Sequence, residues 1–455
     1  MAERDFSAIT PEIRNLTALC AANDIIDKEL YIRHKVNRGL RDLEGNGVLT
    51  GLTEISEIVA KKEIDGKLIP CEGNLYYRGY NVKELVNGYI NDDRFGFEEI
   101  IYLLLIGHLP DANALQEFET LLGSYRSLPS KFSRDIIMKA PSADIMNSLS
   151  RSVLTLYSYD NNADDTSIEN VLRQSLQLIS MFPMLAVYGY QAMNYYIKDS
   201  SSFFLHEPDP ALSTAENILM MLRDDRSYTQ LEAKILDLAL ILHAEHGGGN
   251  NSTFTTHVVT SSGTDTYSAV ASALGSLKGP KHGGANIKVC HMFDNIMANL
   301  HDWEDDEEVA SYLQKILNKQ AFDQSGLIYG VGHAIYSISD PRAVVFREFV
   351  EKLCIEKGRE KEFALYAKVE ELAPKIIAER RKMYKGVSIN VDFYSGFVYR
   401  MLGIPEELFT PLFAIARIAG WSAHRMEELV NAGKIIRPAY LAVGERREYI
   451  PMSER

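Results

Sequence analysis

The chain has 455 residues, 46% of them hydrophobic and 24% charged, with a formal net charge of −14. That length suits one large domain or two unequal ones, and the composition excludes a chain too polar to build a core. The acidic balance excludes a nucleic-acid partner, which wants a basic face, and leaves an anionic ligand only where arginines gather locally.

The N-terminus, Met1-Ala2-Glu3-Arg4-Asp5, is charged and lacks the apolar run of a secretory signal. Cys20, Cys71, Cys290 and Cys354 are scattered, with no CxxC pair, so a disulfide framework and a zinc ribbon are both excluded and a reduced, cytoplasmic setting is expected. Val48–Ile58 and Leu68–Tyr80 alternate weakly and predict strands. Leu115, Phe118, Leu121 and Leu122 predict a helix packed on the core, opened by Pro110 and Asp111. Pro183 and Gly189 interrupt the apolar stretch 180–193, so no membrane span is expected. Leu231, Ile235, Leu238 and Leu242 predict a second core-facing helix. The acidic run Asp302–Glu308 predicts a helix start, with acids at the positive dipole end. Leu365, Val369, Leu372 and Ile376 predict a further helix, broken or kinked at Pro374. The class is mainly α with a minor β element in the N-terminal part. Glycine-containing breaks near Gly279–Gly284 and Gly396–Gly403 suggest hinges around a smaller domain.

Four segments carry candidate chemistry. In HAEHGGGN, His243 and His246 share one helix face just before glycines end the helix. The order is His-x-x-His, not the His-Glu-x-x-His of metalloproteases, and no third ligand is evident, so no metal is assigned. In GPKHGGAN, His282 lies between a Gly-Pro turn and a Gly-Gly pair. Alone it reads as a turn histidine. Helix-terminal N–H groups approaching it would keep the imidazole neutral and able to donate to a developing enolate.

In GVGHAIYSISDPR, His333 follows Gly330 and Gly332, and Arg342 offers a planar fork matched to a carboxylate. The Gly-x-Gly follows no convincing strand, so a dinucleotide fingerprint is rejected. In NVDFYSG, Asp392 has an apolar and aromatic neighbourhood that would raise its pKa towards that of a general base; its commoner role would be capping the following helix. Arg417 is a charge inside an apolar helix, where an anionic partner is expected. Arg437 carries no signal by itself.

Together these segments, with LYYRGYNVKEL near the start and RPAYL near the end, resemble the citrate synthase family from about Leu68 to Arg437. The resemblance implies a helical homodimer with a large domain (1–284 and 401–455) and a small one (285–400) closing over a cleft. It implies condensation of acetyl-CoA with oxaloacetate, without a cofactor. His282 would stabilise the enol or enolate, Asp392 would remove the methyl proton and His333 would polarise the ketone. His246, Arg342, Arg417 and Arg437 would hold oxaloacetate, Arg437 coming from the neighbouring subunit. Gly330, Val331 and Asn390 lie where family members contact CoA. Many relatives carry a basic residue where this chain has Ser337; Lys382 and Lys385 are expected to supply charge instead. Three rival readings are a 2-methylcitrate synthase acting on propionyl-CoA, a non-catalytic anion-binding dimer, and a metal-dependent hydrolase on His243 and His246.

Overall fold

The structure is a computed structural model that describes residues 7–42, 46–332, 335–381, 386–431 and 433–454. The backbone divides into two compact units between Leu52 and Thr53. The first holds α1 (Pro11–Asn23) and α2 (Lys28–Arg33), and none of its described residues is buried.

The second unit opens with a small antiparallel sheet, β1 (Ser56–Ile64), β2 (Lys67–Tyr77) and β3 (Tyr80–Asn81), in the order β1-β2-β3. Asp65 and Gly66 both take positive φ and turn the chain between β1 and β2, setting the register Ile64↔Lys67, which an irregularity between Val59 and Lys61 shifts to the register Ser56↔Tyr77 at the far end. The strand expected from Val48 therefore begins only at Ser56: β1 extends back no farther than its partner reaches, and Val48–Ile55 lies outside the sheet. Asp-Gly is a hairpin signal that the alternation alone did not expose.

Fifteen α-helices follow among the described residues of the second unit: α3 (Val82–Asn91), α4 (Phe97–Ile106), α5 (Ala112–Ser124), α6 (Ile145–Leu156), α7 (Ile168–Tyr196), α8 (Thr214–Leu222), α9 (Gln230–His243), α10 (Asn251–Thr260), α11 (Thr266–Lys278), α12 (Ala285–Asn299), α13 (Asp306–Leu317), α14 (Pro341–Lys357), α15 (Glu360–Arg381), α16 (Asp392–Met401) and α17 (Phe409–Val430). Their starts follow local chemistry. Asp111 caps α5 by accepting Ala114 N–H at 2.8 Å, Thr229 and Glu232 form a capping box on α9, and Asp305 caps α13 as the acidic run predicts.

The apolar stripes mostly face inward, with two corrections. On α5, Phe118 and Leu122 are buried but Leu121 is 39% exposed, because it lies a full step round the helix from the Phe118–Leu122 face. Pro374 does not end α15. The helix runs through it, held by the buried face Leu365, Val369, Ala373 and Ile377, which outweighs the one backbone hydrogen bond a proline removes. α7 likewise continues through Pro183 and Gly189, yet no helix among the described residues is long and apolar enough to cross a membrane.

α17 is the central post. It packs against α4, α7, α9, α10 and α11, and it buries Trp421 together with two arginines, Arg417 and Arg425. Helices α12 to α16 pack chiefly on one another, around an aromatic stack in which Tyr366 lies 3.5 Å from Phe293 and 4.5 Å from Phe397, ring centre to ring centre. α14 also reaches α9 and β2, and at its C-terminal end Lys357 Nζ donates to Glu232 Oε1 in the first turn of α9 at 2.7 Å. Replacing Phe293 with alanine is expected to cost about 3–5 kcal/mol, as a buried aromatic truncation does. Denaturant unfolding of the purified protein measures it, and a loss below about 1 kcal/mol would contradict this packing.

Candidate active site

Helix ends converge on one place: the C-terminal end of α9 and the N-terminal ends of α10, α14 and α16, with the middle of α17 as the floor. Tyr77 of β2 fixes the first of these. Its hydroxyl lies 3.0 Å from the carbonyls of both Ile241 and Glu245, and Glu245 N–H donates back to it at 3.3 Å. Ser56 of β1 accepts Gly247 N–H at 3.2 Å and donates to Glu245 Oε1 at 2.9 Å. The small sheet thus clamps the turn that carries His243, Glu245 and His246.

The two histidines of that turn separate in role. His243 is buried, packs on Phe413 with ring centres 4.6 Å apart, and has no hydrogen-bond partner for either ring nitrogen among the described residues. Burial, Arg342 and Arg417 all disfavour its cation and hold its pKa well below the ordinary range. His246 is also buried and stands edge-on to Tyr336 at 5.6 Å. Cationic neighbours are the wrong surroundings for a metal held by these two rings. Among the described residues no cluster of three His, Cys, Asp or Glu side chains is placed to hold one.

His282 precedes α12 and leans on the start of α10. Ser252 N–H donates to His282 Nε2 at 3.3 Å, and Ser252 Oγ lies 2.9 Å from the same nitrogen. Ser252 Oγ in turn accepts Trp421 Nε1–H at 3.1 Å. A backbone N–H can only donate, so Nε2 is an acceptor and the ring proton sits on Nδ1. Burial, with Arg417 adding, lowers the His282 pKa to about 4. The imidazole is therefore neutral, with one N–H left to give, as the sequence suggests for a histidine approached by helix-terminal N–H groups.

Asp392 is the first residue of α16, one position inside the cap, Val391. It therefore does not hold the capping position, and its own N–H donates to Asn390 Oδ1 at 3.0 Å. Burial lifts its pKa to about 6, against the pull of Arg342 and Arg417 and with Asp340 adding to the rise.

Arg342, in the first turn of α14, is buried and forks onto Asp340, with Nε–Oδ1 at 3.0 Å and Nη2–Oδ2 at 2.7 Å. Although burial opposes it, Asp340 holds the guanidinium above its ordinary value. Arg417 has no such partner. It is 1% exposed, lies over the Phe413 ring at 4.7 Å, and donates only Nε–H, to the His243 carbonyl at 2.7 Å. Burial lowers its pKa to about 10, with Glu245 partly offsetting. Its terminal nitrogens have no hydrogen-bond acceptor among the described residues.

Two loops are laced together beside these groups. Asn390 N–H donates to the Gly330 carbonyl at 2.9 Å, Gly332 N–H to the Ser388 carbonyl at 2.7 Å, and Val331 and Ile389 form an antiparallel bridge. Asn390 Nδ2 also donates to the Gly332 carbonyl at 3.0 Å. Gly330 has φ +77°, and a Cβ there would lie 2.9 Å from Val289 and 3.0 Å from Phe393, so the lacing requires glycine. His333, Lys382 and Lys385 lie outside the described residues. Arg437 is not brought to the cluster. It is exposed on the extended stretch after α17, one residue beyond the Ile436 N–H that donates to Ser261 Oγ at 3.0 Å, and it pairs with no described acid.

Sequence reasoning missed Ser252, Asp340 and Phe413. Asp340-Pro341 before a helix was a legible cap, but the contacts of Ser252 and Phe413 are made across the fold and left no local signal.

A family profile described as "Citrate synthase, C-terminal domain" matches residues 42–439. The chain belongs to the citrate synthase family. It is 35% identical to a citrate synthase of Synechocystis over 84% of this chain and 89% of that one. It is 34% identical to 2-methylcitrate synthase 1 of Corynebacterium glutamicum over 92% of this chain and 99% of that one. The fold matches the citrate synthase of Thermoplasma acidophilum, solved as a ternary complex with carboxymethyl coenzyme A and oxaloacetate. The TM-score is 0.75 at 27% identity, covering 92% of this chain and 99% of that one. In this family member, histidine-selective NMR should show the His282 ring neutral from pH 8 down to pH 5, with its titration centred near about 4. A midpoint near the ordinary histidine value would contradict the hydrogen bond from Ser252 N–H.

Proposed function

We propose that the chain condenses acetyl-CoA with oxaloacetate and water to give citrate and free CoA. The observation that carries this reading is the buried Arg417, whose terminal nitrogens meet no acceptor among the described residues, beside Arg342, a neutral His282 and an elevated Asp392. A buried guanidinium is costly unless an anion meets it, and a small dicarboxylate fits two arginines.

Asp392 takes a proton from the acetyl methyl while the His282 Nδ1–H donates to the thioester oxygen, so the enol or enolate forms without a full free carbanion. Its carbon attacks the ketone carbon of oxaloacetate, polarised by His333, and the new alkoxide takes its proton from His333, which regains one from solvent. Water then cleaves the thioester, leaving citrate and the CoA thiol. Arg342, Arg417 and His246 hold the carboxylates, with Arg437 supplied by a second copy, so the working unit is a homodimer. Gly330, Val331 and Asn390 line the CoA side. Residues 285–400 act as the small domain that closes over the cleft and excludes water. No metal or cofactor takes part, and the setting is the cytoplasm.

Relatives named citrate synthase and 2-methylcitrate synthase stand at nearly equal identity, so propionyl-CoA is the second reading. One methylene is worth only about 1–3 kcal/mol of discrimination. The test is steady-state release of CoA thiol with oxaloacetate on metal-stripped protein, comparing the two acyl-CoAs. Faster turnover with acetyl-CoA supports the proposal, faster turnover with propionyl-CoA moves it to 2-methylcitrate, and no release with either overturns it. Asp392→Asn should fold normally and lose several orders of magnitude in turnover; near-normal activity would sink the base assignment. In the wild type, kcat/KM should fall as pH drops through about 6, because protonation removes the base. A rate that stays flat down to pH 5 would contradict that role.

A further inference from the structure

Behind the turn that carries His246, four ionisable side chains form one continuous file from the core to the surface. Glu245 Oε1 lies 3.1 Å from His424 Nε2, His424 Nδ1 lies 3.1 Å from His257 Nε2, and His257 Nδ1 lies 2.9 Å from Glu428 Oε2. Glu245 and His424 are fully buried, and Glu428 has 17% of its side chain exposed. The imidazole pair lies directly under the glycine turn: a Cβ on Gly248 would stand 3.4 Å from His424 and 3.5 Å from His257.

Both ends of the file are carboxylates, which in their ionised form accept and do not donate. Each of the three hydrogen bonds needs one proton, so the two rings must hold three between them. Two neutral imidazoles hold only two. The pair therefore carries one extra proton, an imidazolium shared across the 3.1 Å N···N bond.

The surroundings say where it rests. Glu427 Oε2 lies 3.9 Å from His424 Nδ1, while its other oxygen accepts Glu54 N–H at 2.8 Å, near Arg78. Arg425 is turned away, onto Thr260, Thr264 and Thr266. Burial and the charge on His424 lower the His257 pKa, with Glu428 and Glu427 opposing. Burial would raise that of Glu245, but His424, Arg417 and Ser56 hold it down to about 2. The shared proton lies at the inner end of the file, where His424 meets the fully buried Glu245 carboxylate. Glu245 has two cations to choose between, His424 and Arg417.

We propose that Glu245, His424, His257 and Glu428 are positioning residues for the dicarboxylate site, and that their one shared proton sets how tightly that site binds its anion. With the proton present, Glu245 is neutralised by His424 and leaves Arg417 to the substrate. When the proton is lost, two ring lone pairs face each other, the N···N bond breaks, and Glu245 turns its full charge on Arg417. Affinity for oxaloacetate then falls as pH rises through the pair's titration. The proposal rests on Arg417 and His246 binding the substrate carboxylates.

Calorimetric titration of the intact wild-type protein with oxaloacetate, from pH 6 to 9, reads binding without turnover. The dissociation constant should rise at least several-fold across the titration, while kcat at saturating oxaloacetate does not follow the same curve. Glu428→Gln removes the outer carboxylate, destabilises the imidazolium, and should move that rise down by about one pH unit. Histidine-selective NMR supplies a second measure: at pH 6 the His257–His424 pair should show one imidazolium between the two rings. Two neutral rings at pH 6, or a dissociation constant whose pH dependence is unmoved by Glu428→Gln, would overturn the proposal. Failure to bind oxaloacetate at any pH would instead overturn the functional reading beneath it, and NMR would still decide the proton count.

Discussion

Everything in the site is arranged around a guanidinium that the protein buries with no carboxylate bonded to it among the described residues. Arg417 stands in the middle of α17, among the most buried side chains of the molecule, with one hydrogen bond to a backbone carbonyl and an aromatic ring beneath it. Glu245, the carboxylate that acts on it, is engaged by His424 and Ser56. Desolvating a charge without a partner is unfavourable, and the surrounding fold has to be stable enough to carry that cost until an anion arrives. An acidic chain thereby acquires one strongly anion-seeking point.

The remaining groups take their character from that point. Arg417 disfavours protonation of His243 and His282, and so helps keep both imidazoles neutral at physiological pH. It also restrains the rise of Asp392, leaving a carboxylate that is ionised near neutrality yet basic enough to accept a carbon-bound proton. Arg342 is treated differently. Asp340 fixes two of its donors, so it contributes direction more than unspent charge. The pairing of one anchored and one unanchored arginine explains how the site can be both rigid and attractive to an anion.

Much of this was legible in the sequence, and the rest was not for definable reasons. Helical periodicity exposed the core faces of α9 and α15, and the acid run exposed the start of α13, because those signals are local. Leu121 and Pro374 misled because a stripe written in apolar residues does not say which of two adjacent leucines faces inward, nor whether a buried face will carry a helix through a proline. The histidines and Asp392 stood out through their glycine-rich or aromatic settings. Ser252 gave no such sign: its contact with His282 spans 30 residues, and its contact with Trp421 spans 169. The His424–His257 pair was equally silent, since neither ring sits in a motif and the bond joins α17 to α10.

The account turns on Arg417 being held for an anion and not for stability. Thermal unfolding of Arg417→Met, with and without oxaloacetate, tests that directly. A buried charge replaced by an apolar side chain of similar length should leave the unliganded Tm unchanged or raise it. The rise in Tm that oxaloacetate gives the wild type by binding the folded state should disappear. A variant that melts well below the wild type without ligand, yet keeps the full oxaloacetate-dependent rise, would show that Arg417 is a structural residue and would contradict the account.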